Sequence, residues 1–369
     1  MQDLLGLPDA LSLDSFTCKV STGAFEPYVS SDEAYFVKHT CENPSRVNII
    51  TCKDEYLHEF IAEAKGLKLD TKLNTTITNL PYYIPVFDSK LDIIPNLSEN
   101  YPVVALTLKD IVSGGMIYKA GCFHEEKSVN VRSLMLNSYC FNGKKVILFS
   151  SGPDTLIESV WYKRDECNFY NKISKMDFYA ATGFNFSLFT GECPMAQHLN
   201  MKRSLISSFL YEQSGTRTIP HIYALTKNQV DKWCIWLRLN PNLQYFTVNC
   251  QMQNSEREVN MVIQSIKAIF SRVPTVDVIL HGFPMNHLYK FGNDILKIHL
   301  AESGPHKAAR NYRRLICDTE TGKIIRKQDD QVSLAELIAF NFDQKRTYLE
   351  HLRRKVGGVG MSSITQSNS

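Results

Sequence analysis

Apolar, β-rich runs recur through the second half of the chain, at 145–151 (KVILFSS), 178–189 (FYAATGFNFSLF), 218–225 (TIPHIYAL), 245–251 (YFTVNCQ), 276–282 (VDVILHG) and 295–301 (ILKIHLA). Segments with helical spacing separate them. In 195–215, Leu199, Leu205, Ile206, Phe209 and Leu210 share one face, and Gly215 suits the position just past a helix end. Segment 226–241 opens on a Thr226 N-cap and stops before Pro241. Segment 254–274 opens with Asn254 or Ser255 and an acidic first turn, and closes on Arg272 before Pro274. Strand and helix alternate at steps of about 30 residues, which predicts βα units and a parallel sheet. The strands are continuous apolar runs, as expected of strands covered on both faces.

The first half is less regular. Segments 46–52, 82–88 and 101–108 read as strands, 53–65 and 109–121 as helices, and 71–81 and 89–102 as loops. Eight of the nine strands closing into a TIM-type (β/α) barrel, with one outside it, is the economical α/β architecture, and the barrel could be incomplete or decorated. An open doubly wound sheet is the alternative. Beyond Arg310 the character changes. Segment 312–327 predicts a hairpin turning near Thr321-Gly322, and 333–355 a long helix with a Ser333/Glu336 capping box and Arg353, Arg354 and Lys355 at its end. The expected division is an α/β segment over 1–80, the barrel over 81–310, hairpin and basic helix over 311–356, and a disordered Gly/Ser-rich tail over 357–369.

Composition changes this picture little. The chain has 369 residues, 44% hydrophobic and 21% charged, with a formal net charge of only +3. Overall charge therefore announces neither a nucleic-acid nor a membrane partner. None of the ten cysteines forms a C-x-x-C pair or stands at zinc-finger spacing from a histidine. They read as buried free thiols of a reducing cytoplasm, and no metal or cofactor is expected, although a zinc assembled from distant residues stays open. The N-terminus carries no basic stretch of a signal peptide, and no apolar run approaches the roughly 18 residues that span a bilayer. The expectation is a cytoplasmic protein.

Parallel βα architectures place their sites at the C-terminal strand ends. There the sequence puts Ser150, Ser151, Gly152 and Asp154, then Asn185 and Ser187, His221 and Tyr223, Asn249 and Gln251, His281, and His299 with Glu302 beyond. Each alone could merely cap a helix; the set predicts a functional mouth. His281 precedes Gly282, which permits close approach of a ligand. Glu302 follows a strand and precedes Ser-Gly-Pro, which makes it the best-placed carboxylate. Asp88 could share the mouth, whereas Asp277 reads as a bottom-face group at the start of its strand. Lys307, Arg310, Arg313 and Arg314 form the densest basic run, able to hold phosphates or simply to be solvated.

Several chemistries lack their signatures: G-x-x-x-x-G-K-[ST], G-x-G-x-x-G, G-x-S-x-G and H-E-x-x-H are all absent, as are three clustered cysteines for an iron–sulfur centre. What stands open is acid/base, transfer or lyase chemistry, or binding alone. The passage YAATGFNFSLF, a helix, then TIPHIYAL resembles the strand–helix–strand passage of tRNA-guanine transglycosylase-like barrels. It is closer to their divergent bacterial branch in phage, DNA-modification and defence gene clusters, and LPYYIPVFD resembles that family's opening strand. The likeness spans about residues 80–310 and its motifs are short.

That resemblance implies exchange of guanine or a 7-deazaguanine at a glycosidic bond of tRNA or DNA, through an oxocarbenium-like transition state. It implies Glu302 as nucleophile and His281 or His299 in proton transfer. Asn185, Asn249 and Gln251, with Ser187 and His221 beside them, would bind the base, and Lys307 and Arg310 the backbone. The chain departs from the family where Ala-Thr-Gly or Asn185 stands in place of an Asp, and where the clustered-cysteine zinc motif is missing. The alternatives are a non-catalytic nucleic-acid- or partner-binding subunit of an antiviral defence or DNA-modification complex, with partners from its own operon, and a small-molecule lyase or isomerase.

Overall fold

The structure is a computed structural model describing residues 66, 68–87, 97, 100–111, 143–188, 194–253, 255–318 and 323–362. The expected strand 46–52 and helix 53–65, Asp88, most of 109–121, and the Thr321-Gly322 turn lie outside these residues.

Eight parallel strands form the ring: β1 (Tyr83–Phe87), β2 (Val103–Thr107), β3 (Lys145–Phe149), β4 (Ala180–Thr182), β5 (Thr218–Ile219), β6 (Tyr245–Asn249), β7 (Asp277–His281) and β8 (Ile298–Glu302). Consecutive strands pair from β1 to β5 and from β6 to β8, and β8 pairs back onto β1. A parallel bridge between His221 and Thr247 joins β5 to β6, with Thr247 N donating to Pro220 O at 2.8 Å. The sheet is thus a TIM-type barrel and not an open doubly wound sheet.

Why the strands read as unbroken apolar runs is now visible. One set of side chains, including Ile84, Val86, Ala105, Ile147, Phe149, Ile219 and Ile279, fills the barrel. The alternate set, including Val104, Leu148, Val278 and Leu300, packs outward under the helices. The N-terminal strand ends are covered by residues 68–82. Ile77 and Leu80 enter the inner core, Leu80 N donates to Tyr245 Oη at 3.2 Å, and Thr218 N donates to Thr75 Oγ1 at 3.3 Å.

The helices of the layer are α1 (Leu108–Ile111), α2 (Asp154–Lys163), α3 (Phe169–Ser174), α4 (Pro194–Gln213), α5 (Lys227–Arg238), α6 (Glu256–Arg272) and α7 (Gly304–Arg310). The anticipated caps form. Thr226 accepts from Gln229 N, and Ser255 with Glu258 makes a reciprocal capping box. Between β7 and β8 the sequence suggests no element, and a 3-10 segment spans Met285–Lys297, kinked at Gly292.

After the barrel, β9 (Arg313–Cys317) and β10 (Ile324–Gln328) pair antiparallel, and α8 runs Leu334–Ser362. Ser333 caps α8 as expected, its Oγ accepting from Glu336 N at 3.3 Å. The helix runs past Lys355, so 357–362, assigned to the unstructured tail, are helical. No described helix is long and apolar enough to cross a membrane.

Two strand boundaries differ in ways that matter for function. Only Ala180–Thr182 of 178–189 is strand. Beyond it, Phe184 and Phe186 leave the ladder for an aromatic cluster with Trp161, Tyr170 and Tyr211, so apolar character continues where strand pairing does not. At 295–301, Ile295 belongs to the 3-10 segment and β8 begins at Ile298. The strand therefore lies three residues later than its apolar pattern suggests, and His299 stands at its start.

Candidate functional site at the C-terminal face of the barrel

Inward-facing positions at the upper strand ends bring four predicted residues together. His281 ends β7 and is only 1% exposed. Its Nδ1 lies 3.2 Å from Ser151 Oγ, its Nε2 lies 3.3 Å from Gln251 Nε2, and Phe149 packs against the ring with centroids 4.6 Å apart. With the Gln251 amide nitrogen as donor, Nε2 is the acceptor. The ring proton then sits on Nδ1 and is donated to Ser151. This tautomer orients Ser151 without taking its proton, so the pair is not poised as a serine nucleophile and its base. Gly282 has φ of +73°, and a Cβ there would meet Gln251 Cγ at 2.6 Å. Glycine is what lets the chain turn away from β7 against Gln251.

His221 and Asn249 stand beside this cluster. Asn249 N donates to His221 Nε2 at 3.2 Å, and Asn249 Oδ1 accepts from Gln251 N at 3.2 Å. Burial lowers the His221 pKa to about 4, so the imidazole is neutral and suited to the acceptor role it holds. Asn185 Oδ1 accepts from Gly152 N at 3.2 Å and shapes the loop that carries Ser151.

The other predicted residues are placed elsewhere. His299 faces the opposite end of the barrel. Its Nδ1 lies 2.9 Å from Pro81 O, its Nε2 3.5 Å from Asp277 Oδ2, and Tyr245 meets it edge-on. Asp277, the first residue of β7, is on the bottom face as read. Ser187 Oγ donates to Asp154 Oδ1 at 2.5 Å, and Ser187 O accepts from Asn200, which ties the β4 loop to α2 and α4. Lys307, exposed, and Arg310, half-buried, lie on the short α7 after β8.

Glu302, the last residue of β8, shares the outward parity of Ile298 and Leu300. Its side chain therefore leaves the barrel toward α8. There Oε1 accepts from Lys345 Nζ at 2.8 Å, in a pair whose side chains are 12% and 6% exposed. Oε2 is buried and has no hydrogen-bond donor among the described residues. Both residues line a cavity of about 410 Å³ with Gly282, Phe283, Asn286, Lys323 and Ile324. Gly282 joins the two parts of the face: its chain neighbour His281 and the abutting Gln251 belong to the barrel mouth, and Gly282 itself to the cavity wall.

Lys345 and Lys323 are missing from the sequence-derived set because they come from elements beyond the barrel. A signal existed for Lys345. It lies on the stripe Leu337, Ile338, Asn341, Phe342, Lys345, Leu349, and a lysine on a buried helix face requires a partner.

Among the described residues, no three His, Cys, Asp or Glu side chains gather as a metal site would require, and Cys167, Cys234, Cys250 and Cys317 are buried free thiols. No protein-family model matches the chain, and no curated protein sequence matches it. Solved structures of similar shape include a 4-hydroxy-2-oxoglutarate aldolase/2-deydro-3-deoxyphosphogluconate aldolase, at 10% identity over 73% of this chain and 94% of that chain, with a TM-score of 0.38. An endo-beta-N-acetylglucosaminidase from Cordyceps militaris is similar at 10% identity over 84% of this chain and 99% of that one, with a TM-score of 0.32. The ring of eight strands, and not these likenesses, establishes the barrel.

Proposed function

We propose that the chain is a base-exchange enzyme acting on guanine or a 7-deazaguanine at a glycosidic bond of nucleic acid, with Glu302 as nucleophile. One observation carries the reading: a carboxylate at the C-terminal end of a barrel strand lines a cavity of about 410 Å³, with one oxygen held by Lys345 and the other without a donor among the described residues. Lys345 orients the carboxylate through a charge-assisted hydrogen bond. In the proposed step a Glu302 oxygen bonds to the sugar carbon. The carbon–nitrogen bond breaks, and its electron pair leaves with the base, which takes up a proton. The incoming base then reverses the sequence and frees the carboxylate. His281, Asn249 and Gln251 face the barrel mouth and do not line this cavity; the side-chain amide that does, Asn286, is the group proposed for the edge of the base.

A second reading has its own observation. Lys345–Glu302 is one of several contacts that fasten α8 to the barrel, alongside Asp343 with Tyr101 at 2.6 Å, Glu350 with Tyr82 at 2.7 Å, and Arg353 with Ile295 O and Ile298 O. On this reading the pair is a fastening, and the barrel is a non-catalytic subunit that binds nucleic acid or a protein partner. Incorporation of labelled guanine or 7-deazaguanine into tRNA and duplex DNA separates the two. Base exchange predicts incorporation by the wild type and a loss of about 1,000-fold or more in Glu302→Gln, compared below the unfolding temperature of the variant, which leaves Lys345 without its counter-charge. Equal incorporation by both proteins would remove Glu302 from the chemistry. Nucleic-acid binding without incorporation would leave the second reading.

A further inference from the structure

We infer that the β9–β10 ribbon is a polyanion-binding surface that holds the phosphate backbone of a nucleic-acid strand beside the Glu302 cavity, an inference that rests on the nucleic-acid reading above. The first observation is where the charge lies. Residues 304–331 hold seven Lys and Arg side chains against four Asp and Glu, an excess of three that equals the formal net charge of the whole chain. In a nearly neutral protein this is a local excess of positive charge on one ribbon and the short helix before it.

The second observation is how the ribbon is mounted. Leu315 N donates to Asn341 Oδ1 at 2.7 Å and Cys317 N to Gln344 Oε1 at 3.2 Å, so α8 side chains satisfy the outer edge of β9. Among the described residues β10 pairs with no strand but β9, and Ile325, Arg326, Lys327 and Gln328 are exposed, as is Arg313 on β9. Arg313 and Arg326 are diagonal neighbours on one face, and Lys327 stands directly opposite Arg314. Like charges placed opposite each other oppose folding. Asp329 offsets Arg314 at 2.6 Å, whereas Arg313, Arg326 and Lys327 have no acidic partner among the described residues.

The third observation is continuity. Lys323 and Ile324, where β10 begins, line the cavity that holds Glu302. A strand lying along β10 would therefore run from the basic ribbon directly to the carboxylate. Charged residues on an exposed edge also deter strand-to-strand aggregation, but either sign serves that purpose. An excess of one sign suits a polyanion.

The test uses the full chain, labelled single-stranded DNA and labelled tRNA, and fluorescence anisotropy from about 50 to 300 mM salt. The variant is Arg313→Glu/Arg326→Glu/Lys327→Glu, which keeps the edge charged and so preserves its protection. Binding is expected to weaken by roughly tenfold or more at low salt, and the log–log salt slope to become shallower by about 2 for single-stranded DNA. Should that variant misfold, Arg326→Gln/Lys327→Gln is expected to show the same change in smaller measure. Wild-type affinity in a folded variant, or no low-salt binding by the wild type, would overturn the inference. Ribbon-dependent binding without base exchange would sink the enzymatic reading alone. Base exchange whose nucleic-acid binding ignores the ribbon variant would sink the ribbon alone.

Discussion

His221 shows at the scale of one residue how burial sets chemistry. It is 7% exposed, it accepts a backbone hydrogen bond, and burial holds its pKa at about 4, below the ordinary histidine value near 6.5. His198, half-buried beside Lys232, is likewise lowered to about 4, by desolvation and then by the lysine's charge. The unfolded chain takes up protons at these positions before the folded chain does. Their stabilising contribution is therefore full above about pH 6.5 and is lost as pH falls toward 4. For His221 the loss is on the order of 3 kcal/mol across that window. Urea unfolding at pH 7 and pH 5 should show it, and His221→Gln should flatten the difference; an unchanged pH dependence would count against the buried neutral imidazole. His281 was legible because it ends an apolar run and precedes a glycine. His299 was misplaced because the same rule was applied to a run whose first three residues belong to another element.

Asn341 does similar work between elements. It is fully buried on α8, where Oδ1 accepts from Leu315 N while Nδ2 donates to Arg313 O at 2.9 Å and Pro305 O at 3.3 Å. One side chain thus joins α7, β9 and α8. Asn341→Ala strands three backbone groups, two of them in buried contacts, and a destabilisation of about 2–4 kcal/mol is expected, read from the urea midpoint. Hydrogen exchange should rise first in β9 and β10, and uniform loosening of the barrel would contradict this role. The starts of the helices with strong N-caps were legible almost to the residue, because capping is a contact between neighbours in sequence. Strand limits were less so. An apolar side chain leaving the ladder, such as Phe184, looks in the sequence like one still inside it.

At the scale of the whole molecule, α8 packs along the outside of β1 and β8 through buried polar contacts as well as apolar ones. Lys345 and Glu302 are 43 residues apart, and their pairing is conditional on the barrel. Lys345→Met would leave the Glu302 carboxylate buried without its counter-charge, with an expected cost of about 3–5 kcal/mol. Adding Glu302→Gln should restore most of that in urea unfolding. If the double variant is no more stable than the single one, the pair is not coupled as the geometry indicates.

The order of strands and helices, the double-faced burial of the strands, the helix caps and the hairpin are written in the sequence. Each depends on periodicity or on residues a few positions apart. The barrel could be inferred from that order, but its closure depends on β5 meeting β6 and β8 meeting β1, contacts between distant segments. Which face a strand-end residue points to also belongs to the tertiary structure. A shift of three residues in β8 sent His299 to the bottom, and strand parity turned Glu302 away from the barrel interior toward Lys345. The carboxylate could be named from the sequence; the lysine that holds it and the cavity around it exist only once distant elements have packed.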